Sequence, residues 1–134
     1  MARVRQRGTQ AERDVAQCLR SLGLAYRLNV RTLPGSPDFA NRARRWAIFV
    51  HGCFWHQHRG CRHATVPTRN REFWCAKFAA NRRRDARAVR ALRRLHFRVL
   101  IVWECRSRDP GPLSERFRRL LTPPLPHSAL ARIS

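Results

Sequence analysis

The sequence predicts one mixed α/β domain with the element order α-β-β-β-α-β. Two short runs, residues 46–50 and 98–103, are almost entirely apolar, which is typical of buried strands. A helical pattern from Asn70 to Leu95 separates them, and such a strand–helix–strand unit normally joins parallel neighbours through a right-handed crossover. At 134 residues the chain is long enough for one domain with a hydrophobic core. We therefore expect the two runs to be the central strands of one sheet.

Local patterns predict the first helix and the strands that follow it. Thr9 and Glu12 have the spacing of a capping box, and apolar residues follow them at helical intervals. Residues 24–30 alternate between apolar and polar, which predicts a half-buried strand. The turn at residues 33–37 then leads to a short strand that includes Asp38.

The second half of the chain supplies a loop, the long helix, the last strand and a tail. Residues 51–69 are rich in His and Cys and are expected to form a loop. We expect one domain over residues 1–106 and a Pro-rich tail over residues 107–134, with one short helix near 113–121. The core residues expected on the long helix are Phe73, Cys75, Phe78, Ala88, Val89, Leu92 and Leu95.

The charge of the chain predicts a polyanionic partner. Lys and Arg number 29 against 8 Asp and Glu, for a formal net charge of +21. Only Lys77 is lysine, so part of the arginine excess can reflect a GC-rich coding sequence. A merely solubilising surface is the alternative, but it rarely needs such an imbalance. Nucleic acid is the favoured partner, and each phosphate neutralised on duplex DNA would contribute about −0.9 to the log–log salt dependence of binding.

The chain is expected to be cytoplasmic, and associated with the nucleoid when bound to DNA. No apolar run approaches the roughly 18–20 residues of a membrane span, and the start at Met1 has no apolar signal segment. Five cysteines in a reducing compartment argue for metal ligands or buried thiols rather than disulfides. Cys18 and Cys75, on predicted helices, are expected to be buried thiols.

A second group of cysteines predicts a structural zinc site. Cys53, His58 and Cys61 follow the pattern C-x4-H-x2-C, and Cys105 comes just after the second apolar run. If the two strands are neighbours, Cys105 lies next to the loop, and four such ligands suit tetrahedral Zn²⁺. Buried hydrophobic cysteines are the alternative. Spacing alone does not decide between His58 and His63 as the histidine ligand.

Few acidic residues are available for catalysis. Asp38 follows a Pro-rich turn and could hold Mg²⁺, although aspartates are common in turns without any metal. Glu12 is fully explained by the capping box. His51 and His56 are not needed for zinc, so one could be a general base and the other could stabilise charge at a phosphate; the alternative is two structural histidines.

Four segments, PGSPDF, IFVHGCFWHQHRGC, TRNREFW and FRVLIVWEC, resemble the very short patch repair (Vsr) endonucleases. The resemblance covers about Thr9 to Arg106. It implies the PD-(D/E)xK restriction-endonuclease-like core, whose element order agrees with the one given above. It also implies a Mg²⁺-dependent enzyme that nicks the thymine strand 5′ to a T:G mismatch left by deamination of 5-methylcytosine. The segment before Thr9 is shorter than the usual basic start of this family.

The resemblance also implies roles for individual residues. Asp38 would be the metal carboxylate, with the Val50 carbonyl as a further ligand. His51 would activate or orient the attacking water, His56 would lie by the phosphate, and Glu12 would hold the water network. A histidine would thus replace the second acid and lysine that the nuclease fold usually carries after its first aspartate.

The zinc ligands and the DNA contacts are implied in the same way. The zinc set becomes Cys53, His58, Cys61 and Cys105, with His58 chosen over His63. The expected DNA-binding residues are the wedge residues Phe54, Trp55 and Trp74 and the helix patch Asn81, Arg82, Arg84 and Asp85. For Trp74 the alternative is a core position, and for the patch a solvated helix face.

The combined prediction is a monomeric nicking enzyme with structural Zn²⁺ and catalytic Mg²⁺. Its partner would be T:G-containing double-stranded DNA, with a mismatch-repair protein and a DNA polymerase acting downstream. Two rival interpretations are a non-catalytic zinc-containing DNA-binding module and a nuclease of the same fold with another DNA target.

Overall fold

The computed structural model describes residues 9–121 and has three helices and a four-stranded sheet. The fold is mixed α/β, as predicted. The first helix begins at the predicted capping box, where the Glu12 N–H donates to the Thr9 hydroxyl and the Glu12 carboxylate accepts from the Thr9 N–H. The elements are α1 (Gln10–Ser21), β1 (Arg27–Leu28), β2 (Phe39–Asn41), β3 (Trp46–His51), α2 (Arg71–Arg94), β4 (Arg98–Trp103), a 3₁₀ turn (Glu104–Arg106) and α3 (Pro110–Leu121).

The sheet order is β1-β2-β3-β4. β1 pairs antiparallel with β2, and β2 pairs antiparallel with β3. β3 and β4 are parallel, in a register that sets Trp46 opposite Arg98 and His51 opposite Trp103. The parallel pairing predicted for the two apolar runs is therefore confirmed. The prediction that both are central strands is wrong, because β4 lies at the edge of the described sheet.

The first predicted strand is much shorter than residues 24–30. Only Arg27 and Leu28 pair with β2, and Leu28 is exposed. The chain leaves the ladder at Asn29, which adopts a left-handed φ of 47°. Its N–H donates to the Asp38 carbonyl, and the next N–H donates to the Pro37 carbonyl. This bend ends β1 and holds the segment just before Asp38.

Both faces of the sheet are covered. Trp46 and Ile48 of β3 pack with α1 and α3, whereas Ala47 and Phe49 point to the other face, where Leu92 of α2 is buried. β3 is therefore apolar on both faces because it is buried on both. α3 begins at Pro110, and its buried residues Leu113, Phe117 and Leu121 belong to the first of these cores. The rest of the predicted tail, residues 122–134, lies outside the described residues.

The long helix has fewer core residues than predicted. Phe78 and Leu92 are buried, but Phe73 is 60% exposed and Leu95 is 44% exposed. Cys18 is buried as predicted, whereas the prediction of a buried Cys75 is wrong because that thiol is exposed. The reason is that the first turns of α2 pack against the loop that follows β3, through Trp74 and Phe78. Within residues 9–121, no helix combines the length and apolarity that crossing a membrane would require.

Candidate metal centre and active site

Four sulfur and nitrogen donors meet where β3 and β4 end. The ligand atoms of Cys53, His58, Cys61 and Cys105 all lie within 4.8 Å of one another. The His58 Nδ1 is 3.7 Å from the Cys53 Sγ and 3.4 Å from the Cys105 Sγ. Cys105 is remote in sequence and arrives through the parallel pairing of the two strands. These are the four residues of the predicted zinc set, and His63 is not among them.

Tight turns in the loop after β3 (residues 52–70, here called the metal loop) shape this cluster. The His58 N–H donates to the Cys53 carbonyl over 3.0 Å, and the Cys61 N–H donates to the His58 carbonyl over 3.2 Å. Gly60, at a φ of 76°, supplies the left-handed residue between them. The His58 ring stacks on Trp103 with a centroid distance of 4.2 Å, so the strand end also fixes the imidazole.

The electrostatics of the cluster suit a bound cation. Burial, together with the neighbouring Cys105 and Cys61 thiols, raises the pKa of Cys53 to about 12. A positive ion that compensates the thiolate charge would favour deprotonation of Cys53 in this place. The Glu104 carboxylate accepts a hydrogen bond from the Cys53 N–H over 3.0 Å and so anchors the loop to the 3₁₀ turn. Sequence reasoning missed this role of Glu104.

A second group of polar residues surrounds Asp38. Its carboxylate accepts the Val50 N–H over 2.7 Å, at the last residues of β3. Burial, together with the nearby charge of Glu12, raises the pKa of Asp38 to about 6, against the lowering effects of the Val50 hydrogen bond and of His56. Glu12 therefore lies within electrostatic reach of Asp38 while it also closes the capping box. An acidic group in this position favours a nearby cation.

Two histidines stand beside this carboxylate. His51 and His56 stack with a centroid distance of 3.7 Å and an interplanar angle of 3°. His51 is buried, and its Nδ1 has no hydrogen-bond partner within residues 9–121. Burial, with the charge of His56, lowers the pKa of His51 to about 4, so this imidazole is neutral at pH 7.

His56 is held by Asp85 of α2. Burial alone would raise the pKa of Asp85, but the hydrogen bond from His56, with smaller contributions from nearby positive charge such as that of Arg84, holds it below its ordinary value. Asp85 is therefore a carboxylate, and the His56 Nδ1–H donates to it over 2.7 Å. This leaves the His56 Nε2 as the nitrogen available for proton transfer. Asp85 was expected in the DNA-binding patch; its contact in the structure is with His56, and DNA contact stays a prediction.

Replacing Asp85 by asparagine is expected to lower the rate of DNA cleavage by about 10- to 100-fold, because it removes the charge that orients His56. Single-turnover cleavage measures the rate, and urea unfolding measures the stability of the same variant. Asp109→Asn, at an exposed aspartate, is the matched control. A loss of cleavage that is accounted for by unfolded protein would mean that Asp85 is only structural.

An aromatic cluster joins the metal loop to α2. Phe54 lies 5.1 Å from Trp55, 5.7 Å from Trp74 and 5.2 Å from Phe78, measured between ring centroids. The three predicted wedge residues are thus in mutual contact and half-buried, while Phe78 is buried beneath them. Phe73, exposed and 5.4 Å from Trp74, extends this cluster towards solvent. Sequence reasoning assigned Phe73 to the core.

The remaining patch residues support the metal loop. The Asn81 side-chain amide donates to the Trp55 carbonyl over 3.2 Å, and Arg84 donates to the Asn81 side-chain oxygen over 2.7 Å. Arg82 lines a surface cavity of about 390 Å³ with the loop residues around His58 and Cys61. The patch is therefore continuous with the loop that carries the metal ligands.

A mixed α/β fold in a strongly basic chain, with carboxylates, imidazoles and a candidate metal cluster gathered where β3 and β4 end, has the groups expected of a nuclease. The family model described as DNA mismatch endonuclease Vsr matches residues 1–62. The chain is 43% identical over 123 residues to the Type II nicking enzyme V.XorIIP of Xanthomonas oryzae pv. oryzae, covering 92% of this chain and 90% of that protein. It is 43% identical over 115 residues to the DNA mismatch endonuclease Vsr of Escherichia coli, covering 86% of this chain and 73% of that protein. The chain belongs to the Vsr family and is a DNA endonuclease.

Proposed function

We propose that this protein nicks the thymine strand 5′ to a T:G mismatch in double-stranded DNA and so initiates very short patch repair. The observation that carries the proposal is that the side-chain ligand atoms of His51, His56 and Asp85 lie within 4.8 Å of one another, with Asp38 in electrostatic reach of His56. Trp55 of the aromatic cluster is the residue next to His56, so the proposed catalytic residues adjoin the rings proposed to enter a base stack. The name of the Escherichia coli relative, a DNA mismatch endonuclease, supports the same conclusion.

Asp38 is the proposed Mg²⁺ ligand. Its carboxylate is mostly buried and has a raised pKa, and within residues 9–121 it accepts hydrogen bonds only from backbone N–H groups. The N–H and C=O of one strand residue point to the same strand edge, so the Val50 carbonyl is expected on the Asp38 side as a further ligand. Mg²⁺ bound there would neutralise charge on the phosphate and favour ionisation of a bound water.

The two histidines have different proposed roles. His56, oriented by Asp85, accepts the proton of the attacking water through its free nitrogen. His51 is neutral and buried against His56, so it holds the water and the neighbouring ring in place without adding a positive charge. Glu12 orients the water network from the start of α1. The hydrogen bond to Asp85 supports the role proposed for His56, and the neutral state of His51 supports its role as a positioning group.

Zn²⁺ is the proposed occupant of the cluster formed by Cys53, His58, Cys61 and Cys105. Three thiolates and one imidazole form a closed ligand set that leaves no open position for a substrate, which is characteristic of structural zinc. The ion would hold the metal loop, which has few buried apolar residues, in the shape that presents His56 and the aromatic cluster.

Phe54, Trp55 and Trp74 are the proposed wedge. Unstacking one base step costs a few kcal/mol, and a weakened T:G pair lowers this cost, so insertion itself favours mismatched sites. The net charge of +21 draws the protein to duplex DNA of any sequence, and the patch of Asn81, Arg82 and Arg84 adds contacts near the wedge. The proposed enzyme is monomeric and cytoplasmic, associates with the nucleoid through DNA, and hands its product to a mismatch-repair protein and a DNA polymerase.

The test uses end-labelled duplexes that differ in a single base pair, T:G or T:A, in several cytosine-methylation contexts. With Mg²⁺ we expect one nick 5′ to the mismatched T and none in the T:A duplex or without Mg²⁺. Binding without cleavage in every context would instead favour a zinc-containing DNA-binding module. Cleavage of both strands, or of T:A and T:G equally, would favour a nuclease with another target.

A further inference from the structure

The second half of α2 carries a row of arginines on one side of the helix. Arg83, Arg87, Arg90 and Arg94 repeat at intervals of four, three and four residues, which places them above one another on a helix surface. All four are exposed. We call this row the arginine stripe. It contains none of the residues assigned above to the active site, the wedge or the DNA-binding patch.

The stripe faces away from the active site. A helix turns by about 100° per residue, so Asp85 and Leu92 lie roughly half a turn from the stripe. Asp85 contacts His56 of the metal loop, and Leu92 is buried against the sheet. A duplex bound at the active site therefore meets the opposite side of α2.

The charge of the stripe is not balanced within the described part of the chain. None of its four side chains takes part in an ion pair or a hydrogen bond among residues 9–121. The acidic residues of α2 are Glu72 and Asp85, and Asp85 is bonded to His56. Like charges three and four residues apart weaken a helix. The helix dipole favours Arg94 in the last turn, but it does not explain the other three arginines.

We propose that the arginine stripe binds the phosphate backbone of a second duplex DNA segment while a first segment lies at the active site. The stripe is about 16 Å long, which matches about five base pairs of duplex. Guanidinium groups bind phosphate in a bidentate manner, and this contact does not depend on the base sequence of the DNA. The protein would thereby bridge two segments and stay near DNA between encounters with mismatches. The proposal rests on exposed charge and does not depend on the specificity for T:G.

A bridging assay tests the proposal. A biotinylated homoduplex on beads is saturated with protein in magnesium-free buffer, and a fluorescent duplex of unrelated sequence is added at 50 to 200 mM salt. One variant carries Arg→Gln at all four stripe positions, since glutamine keeps a high helix propensity. A control variant carries the same change at exposed arginines outside α2: Arg27, Arg31, Arg108 and Arg119.

We expect the wild-type protein and the control to capture the second duplex, and the stripe variant to capture it at least about tenfold less. The log–log salt slope of capture should fall by about 3.6 in the stripe variant, for four lost phosphate contacts. Equal loss in both variants would mean a general effect of net charge, and no capture by wild type would also overturn the proposal. Capture that survives in the stripe variant would indicate bridging by protein self-association and would overturn the proposal. Capture of a polyglutamate peptide but of no duplex would identify an acidic protein as the partner instead.

Discussion

Replacing Asp38 by asparagine is expected to lower the rate of T:G nicking at least about a thousandfold while making the protein more stable. The loss of activity follows from the proposed Mg²⁺ site, because a neutral amide is a far weaker ligand and charge stabilisation by a metal is worth several kcal/mol. The gain in stability follows from the metal-free protein, in which the carboxylate is mostly buried beside Val50 and near Glu12.

The pKa of Asp38 gives the sign and the size of the stability change. Its ordinary value is 3.8, and burial raises it to about 6 in the folded protein. The folded state therefore holds this proton more tightly than the unfolded chain. The contribution to stability is full below pH 3.8 and is lost as the pH rises through about 6. Above that pH the ionised group costs about 3 kcal/mol, at about 1.4 kcal/mol per pH unit.

Asparagine keeps an oxygen for the Val50 N–H and has no charge to bury, so the variant should be more stable by about 2 to 3 kcal/mol at pH 8. At pH 5 the difference should fall to about half. Urea unfolding in magnesium-free buffer that contains zinc measures both values. Asp109→Asn, at an exposed aspartate, should change stability by less than about 0.5 kcal/mol and keep full nicking activity. An inactive Asp38 variant that is also less stable at pH 8 would assign Asp38 to the fold rather than to catalysis.

Those parts of the fold that depend on local sequence were predictable. The capping box of Thr9 and Glu12, the apolar run of β3 and the length of α2 are all readable from neighbouring residues. The short β1 was not, because its end depends on a bend at Asn29 that is held by carbonyls of Asp38 and Pro37. Tertiary hydrogen bonds decide where β1 ends, and the alternating pattern of residues 24–30 does not reveal them.

In the candidate site, too, the features set by local sequence were predictable and those set by tertiary packing were not. The spacing of Cys53, His58 and Cys61 is a local signal, and the pairing of two apolar runs was enough to bring Cys105 to them. The partner of His56 could not be found from spacing, since Asp85 lies 29 residues away on a helix whose rotation is fixed by packing. Exposure of Cys75 has a related cause. Helical periodicity does not reveal that the first turns of α2 pack on the metal loop rather than on the sheet.

Two exposed cysteines provide a matched pair for testing the metal centre. Cys105 belongs to the cluster and Cys75 does not, yet both thiols are at the surface, so a change to serine costs little packing at either place. Cys105→Ser is expected to lower zinc content from one equivalent to about a tenth or less, and to destabilise the protein by at least about 3 kcal/mol. Cys75→Ser should retain one equivalent and wild-type stability. Elemental analysis and thermal unfolding measure the two quantities.

Activity adds a further distinction, because the metal loop carries three of the proposed zinc ligands together with His56, Phe54 and Trp55. Loss of the ion would release His56 from its contact with Asp85 and would disperse the aromatic cluster around Phe54, so Cys105→Ser should lose nicking and T:G preference together. Asp38→Asn, in contrast, should lose nicking alone and still bind T:G duplex in preference to T:A. If Cys105→Ser keeps its zinc, the cluster is not the zinc site. If it loses zinc but keeps the mismatch preference, the fold of the loop does not depend on the ion, and aromatic packing on α2 is sufficient to present the wedge.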